Sequence, residues 1–235
     1  MGRKETPETD WTARDETLWT TAEIAVLLKR GELDRRMPQA VPFAMQLGGH
    51  EEKIFVHGPF QLLAWVAPGD GSYMHNNSTM VAMGRGAVPA VLAFGAVRAM
   101  GNATRRARAR ELAQPRWIPI DHGTLSVGSF GFYMHTTHAL HSWGWKSIHL
   151  ASLTGPGSLQ IDGQSADGPV RWILNSDWAE LVFVLWASVC NPDHPQMTGR
   201  VWLPEDWATK AMVRSMSGSG YPTFSAFNEV IRGLP

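Results

Sequence analysis

Ser176-Asp177-Trp178-Ala179-Glu180-Leu181-Val182-Phe183-Val184-Leu185-Trp186-Ala187-Ser188-Val189-Cys190 is the stretch on which the reading of this chain turns. Trp178, Leu181, Val182, Leu185, Trp186 and Val189 recur at the 3.6-residue period, which predicts a helix with one broad apolar stripe. Asp177 followed three residues later by Glu180 predicts a capping box at its start. Asn191-Pro192 ends it, because proline cannot continue the hydrogen-bond ladder. The stretch just upstream has the other period, of two. Short apolar-alternating runs are expected as strands at Arg116–Ile120, Thr124–Val127, Gly131–Thr136, Leu140–Trp143, Ser147–Leu153, Leu159–Asp162 and Val170–Asn175. His122-Gly123, Gly128-Ser129, Gly155-Pro156-Gly157 and Asp167-Gly168-Pro169 punctuate them. Strands this short and this closely spaced imply an antiparallel meander or barrel with the helix as its cap.

Working outward, residues 1 to 16 read as a mobile leader, and a short helix opens at Thr20 with Thr20 and Glu23 as a capping box and Gly31 at its C′ position. Lys53–His57 and Gln61–Val66 read as two strands flanking Gly58-Pro59. Ala87–Leu112 is alanine-rich and helical in character, with a break at Gly101-Asn102. Met80–Met100 is interrupted by Arg85, Pro89 and Arg98. Its longest uncharged run, Gly86–Val97, falls short of the roughly 20 residues a membrane span requires, so it reads as a buried or partner-facing helix. From Pro195 on the chain reads as a tail, with a helix start near Trp202–Ala208 and a flexible break at Ser215–Ser219. The expected organisation is a leader over 1–16, and then a helix, strands and an alanine/arginine-rich helix packed on the core over 17–114. A β-barrel with its capping helix follows over 115–192, and a C-terminal tail over 193–235.

Composition narrows the function classes. The 235 residues are 44% apolar and 18% charged with zero net charge, ordinary for a globular protein and contrary to wholesale nucleic-acid binding. Eleven tryptophans supply large core anchors or a sticky surface. A single cysteine, Cys190, excludes an intrachain disulfide. With the polar N-terminus, which lacks an apolar signal core, it points to the cytoplasm.

The order of seven short strands and one amphipathic helix resembles the pleckstrin-homology-like (GRAM/PH-like) domains of bacterial, actinobacterial or actinophage type, over Trp117 to Pro192. Gly123, Leu125 and Val127 match one motif of such domains, and Trp145-Lys146-Ser147-Ile148 a second. Gly128 and Gly131 stand where many members carry threonine and arginine. Trp202-Leu203-Pro204-Glu205 is similar to the tails of such proteins. The resemblance implies an α+β fold: a PH-like antiparallel β-barrel capped by a C-terminal helix, here with an N-terminal α/β extension. Phosphoinositide-binding members hold the headgroup with basic residues in the first hairpin. Ile118–Leu125 contains no lysine or arginine, and Arg116 alone cannot clamp a polyphosphate, so the resemblance does not imply inositol-phosphate binding here.

Three residue groups invite function. His135, His138 and His141 suggest zinc. On a hairpin His135 and His141 would face each other as two ligands of the four a closed site needs, so the alternatives are polar hairpin histidines, a metal site or a pH-sensitive patch. Arg98, Arg105, Arg106, Arg108, Arg110 and Arg116 suit either a solvated helix face, an acidic protein or a phosphate-bearing ligand such as an anionic membrane. Trp143-Gly144-Trp145 would place two indoles on one face of an extended chain, to cradle a peptide or to pack in the core. For catalysis, Cys190 lies at a helix C-terminus, where the dipole disfavours a thiolate. No nucleophile elbow, phosphate-binding glycine loop or His-Glu-x-x-His helix is present. The expectation is a non-catalytic cytoplasmic adaptor for a protein or peptide, without cofactor. The alternatives are an anionic-membrane or phosphate binder and, third, a metal-dependent enzyme built on the histidines.

Overall fold

The structure, a computed structural model, describes residues 11–40, 52–67, 107–111, 113–165, 168–217 and 221–235. Seven strands form one open antiparallel sheet in the order β4-β3-β2-β1-β7-β6-β5. They are β1 (Ile54–Val66), β2 (Arg116–Gly128), β3 (Gly131–Thr136), β4 (Leu140–Gly144), β5 (Ile148–Gly155), β6 (Ser158–Ser165) and β7 (Gly168–Asn175). The helices are α1 (Ala13–Lys29), α2 (Ala179–Cys190), the single turn α3 (Pro195–Thr198), α4 (Trp207–Met216) and α5 (Phe224–Gly233). Among the described residues no helix is long and apolar enough to cross a membrane.

By contacts the chain divides into two compact units, residues 1–63 with 119–235 and residues 64–118. In the smaller unit Trp65 and Trp117 meet edge to face at 5.3 Å, and 107–111 form a helical turn on which Arg108 and Arg110 are exposed. Arg98, Arg105 and Arg106, with most of the expected helix Ala87–Leu112, lie outside the described residues.

In the larger unit, cross-strand pairs build one concave apolar face. Leu125 stands opposite Met134, Val127 opposite Phe132, Phe132 opposite Trp143, Ile161 opposite Trp172 and Leu159 opposite Leu174. Paired residues share a face of the sheet, so this alternation alone creates the surface on which α2 lies. The sheet is not confined to 115–192, because β1 sits between β2 and β7.

Several expected boundaries are corrected. β1 runs straight through Gly58-Pro59, although a prolyl residue has no N–H to offer a ladder. Side chains just beyond β7 satisfy the β1 carbonyls there: Ser176 Oγ donates to the Pro59 carbonyl at 2.8 Å and Trp178 Nε1 to the His57 carbonyl at 3.1 Å. Gly58 is required there, since a Cβ would stand 2.7 Å from Trp178 Nε1. β2 likewise passes without a turn through His122-Gly123, where a Cβ would run into the His135 carbonyl. At the N-terminus, α1 begins at Ala13, inside the expected leader, and its capping box is Thr12 with Asp15 rather than Thr20 with Glu23. Gly31 does follow the helix, at φ +70°.

The central helix differs too. α2 starts at Ala179 with no side-chain cap, and every residue from Ala179 to Ala187 is buried, so burial runs all round the helix rather than along one stripe, while Val189 of the expected stripe is half exposed. The sheet packs on one side of it and α1 on another. The tail expected after Pro195 is helical instead, and α4 and α5 pack on each other and on α1. Trp202 and Trp207 are both buried there.

Glu180 serves as a tie rather than a cap. Its side chain is 4% exposed, it accepts from the Gly157 N–H at 2.7 Å and it pairs with Arg14 of α1, which also donates to the Asp177 carbonyl at 2.9 Å. Removing one partner strands a buried charge. Arg14→Met, which leaves Glu180 buried without it, should therefore lower the unfolding free energy by about 3 kcal/mol, and adding Glu180→Leu should return a good part of that loss in urea titrations.

Candidate functional site

The hairpin of β3 and β4 places the histidines otherwise than expected. Met134 stands opposite His141 and His135 opposite Leu140, so His135 and His141 lie one register step apart, on opposite faces. The two do not converge on one ion, and among the described residues no group of three or more His, Cys, Asp or Glu is placed to hold a metal. His138 is exposed in the turn, its N–H held by Thr136 Oγ1 at 3.2 Å.

Trp143 and Trp145 are both buried and both pack on Phe132 of β3, but from different local structures. Trp143 ends β4 and lies parallel to Phe132, with ring centres 6.5 Å apart. Trp145 sits in a 3-10 turn, Trp145–Ser147, with its Nε1 donating to the Ser129 carbonyl at 3.0 Å. The two indoles therefore do not form one extended cradle. Cys190 ends α2 with its Sγ 3.5 Å from the Trp145 carbonyl, and burial pushes its thiol up, the reverse of nucleophile activation.

The side of the sheet left open between β4 and β5 holds a feature the sequence reading did not assemble. A cleft of about 430 Å³ is walled by His141, Ser142 and Trp143 of β4, Gln164 of β6 and Trp172 of β7. It adjoins a smaller one of about 160 Å³, which shares His141 and Trp172 and reaches Phe60, Leu62 and Met134, with Asp121 as its acidic member. Trp172 meets Trp143 edge to face at 4.9 Å, so two indoles form the apolar floor. Among the described residues no Asp, Glu, Lys or Arg lines the larger cleft. The alternation of Val170, Trp172 and Leu174 puts Trp172 on one face, but that this face meets β4 depends on pairings far apart in sequence.

The two edges of the sheet are treated differently. Along β5, the Gln196 side-chain amide accepts from the Leu153 N–H at 2.9 Å and donates to the Leu153 carbonyl at 2.8 Å, as a neighbouring strand would. Trp186 Nε1 takes the Ile148 carbonyl at 3.1 Å. Any groove between α2 and β5 is closed at these points. Along β4, the bonds Thr136 N–H to Ala139 O and Trp145 N–H to Phe130 O fix which pairs are hydrogen-bonded. By strict alternation the pairs Tyr133–Ser142 and His135–Leu140 are not, so the N–H and C=O of Leu140 and Ser142 point away from β3. Among the described residues no hydrogen bond reaches them.

A separate hollow of about 180 Å³ lies between α1 and α5, where Glu23 pairs with Arg36 at 3.1 Å and accepts from the Tyr221 hydroxyl. Burial pushes the Glu23 carboxyl up, against the opposing pull of Arg36. A carboxyl raised in the folded state contributes stability in acid that is lost as pH rises through its titration. Going from about pH 4 to about pH 7, the stability of Glu23→Gln relative to the native chain should therefore rise. A relative stability that falls over that range would mean the Arg36 pairing outweighs burial. Comparisons with protein-family models, with curated proteins and with solved structures return no match to this chain.

Proposed function

We propose that the chain is a non-catalytic binding module, built on a PH-like open barrel with α2 as its capping helix, and that it recognises a protein or peptide. Support for the fold reading is the meander order with β1 between β2 and β7, the gap between β4 and β5, and a helix entering the concave face directly after the seventh strand. Support for binding is the indole-floored cleft in that gap, which among the described residues has no charged member. The two indoles suit an apolar group, and His141, Ser142, Ser147, Gln164 and Ser165 around them supply hydrogen-bonding neighbours. In this reading the ligand sits in the cleft, away from α2 and β5. Arg108, Arg110 and Arg116 are exposed and leave the anionic-membrane reading as the rival.

Immobilised native chain and its Trp172→Ala variant separate the readings. A polypeptide retained by the native chain and released by Trp172→Ala, with the far-UV spectrum unchanged, is the expected result. Equal retention by both would remove the cleft from function. Salt-sensitive sedimentation with phosphatidylserine vesicles, unaffected by Trp172→Ala, would favour the membrane reading instead.

A further inference from the structure

The open edge and the cleft belong to one surface, because Leu140, His141, Ser142 and Trp143 contribute to both. From this we infer that the partner is an extended polypeptide segment that adds to β4 as an eighth strand and sends one large uncharged apolar side chain into the Trp143–Trp172 cleft. The inference rests on the binding-module reading above and names its ligand chemistry.

Backbone geometry selects an extended chain. The outward groups of Leu140 and Ser142 are two residues apart and each offers one donor and one acceptor, a repeat that another strand matches with its own N–H and C=O. A protein that leaves such a row uncovered invites pairing, and this one caps Leu153 and the Ile148 carbonyl of β5 with Gln196 and Trp186, while among the described residues nothing caps β4. The sealing of only one edge marks the other as the place of contact.

The cleft selects the side chain. A strand laid beside Ser142 alternates its side chains between the two faces, so every second one points to the concave side where Trp143 and Trp172 stand. A charged group there would lose its hydration, because among the described residues no acidic or basic one lines the larger cleft and Asp121 belongs to the smaller one beside it. A leucine, phenylalanine or tryptophan gains both burial and ring contacts. A second copy of this chain fits less well. Its inward residues on the same strand, His141 and Trp143, already belong to its own concave face, so pairing β4 with β4 would leave both clefts unfilled.

The test uses capped octapeptides of alternating threonine and valine, with tryptophan, leucine or lysine at one central position, titrated onto the isotope-labelled full chain. The tryptophan and leucine peptides should slow hydrogen exchange at the amides of Leu140 and Ser142, and the lysine peptide should bind at least about tenfold more weakly. Ser142→Pro removes an outward N–H that the β3 ladder does not use, and should weaken the tryptophan peptide by about three- to tenfold. Gln164→Lys, an exposed position on the cleft wall, should weaken it as well and serves if the proline variant fails to fold.

The proposal is overturned if no peptide protects those amides, if lysine serves as well as tryptophan, or if protection falls on β5. It is also overturned if the chain alone protects Leu140 and Ser142 as it dimerises with concentration, since the occupant is then a second copy. A partner lost on Trp172→Ala whose binding leaves both amides unprotected would keep the binding-module reading and remove this one.

Discussion

Helix α2 lies in the concave face of the sheet with side chains buried on every side, and the rest of the larger unit is arranged around that burial. Phe183 and Trp186 pack against the ring of His194, Trp186 also holds the Ile148 carbonyl, and Glu180 ties α1 to the turn at Gly157. A helix apolar all round must be covered all round, which explains why α1 lies across from a sheet that could cover only one side, with α4 and α5 packed in turn on α1. Each fully buried leucine or phenylalanine contributes about 1.5–3 kcal/mol of transfer free energy, so the helix alone outweighs any of the surface ion pairs.

Covering the helix also decides which edge of the sheet is finished. The chain leaving α2 turns back through α3, and this return carries Gln196 onto Leu153, where its amide imitates a missing strand. His194 holds the Gln196 N–H at 3.2 Å and so fixes the start of that turn. Nothing comparable among the described residues meets β4. The asymmetry follows from connectivity: β5 lies where α2 and its continuation pass, and β4 lies at the other end of the strand order.

Much of the strand plan was legible from period and punctuation. β3 and the core of β7 fall where alternation puts them, and Gly31 marks the end of α1 because its backbone adopts a left-handed conformation. The misreadings share a physical cause. Gly58-Pro59 and His122-Gly123 look like turns locally, but their roles are set by Trp178 and His135, distant in sequence. Asp177 and Glu180 have the spacing of a cap, yet Arg14 and the Gly157 N–H compete for the carboxylate and win. The faces of His135 and His141 depend on which residues close the Thr136–Ala139 turn, and a one-residue difference inverts the answer. The cleft drew on β4, β6 and β7 together, and no local pattern announces that meeting.

Native-state hydrogen exchange on the chain alone tests the central claim, that one edge of the sheet is closed and the other offered. The Leu153 amide, held by Gln196, should exchange far more slowly than those of Leu140 and Ser142, which should approach the rate of an unstructured chain while β3 remains protected. Equal protection at all three amides would contradict the account, because β4 would then already be covered.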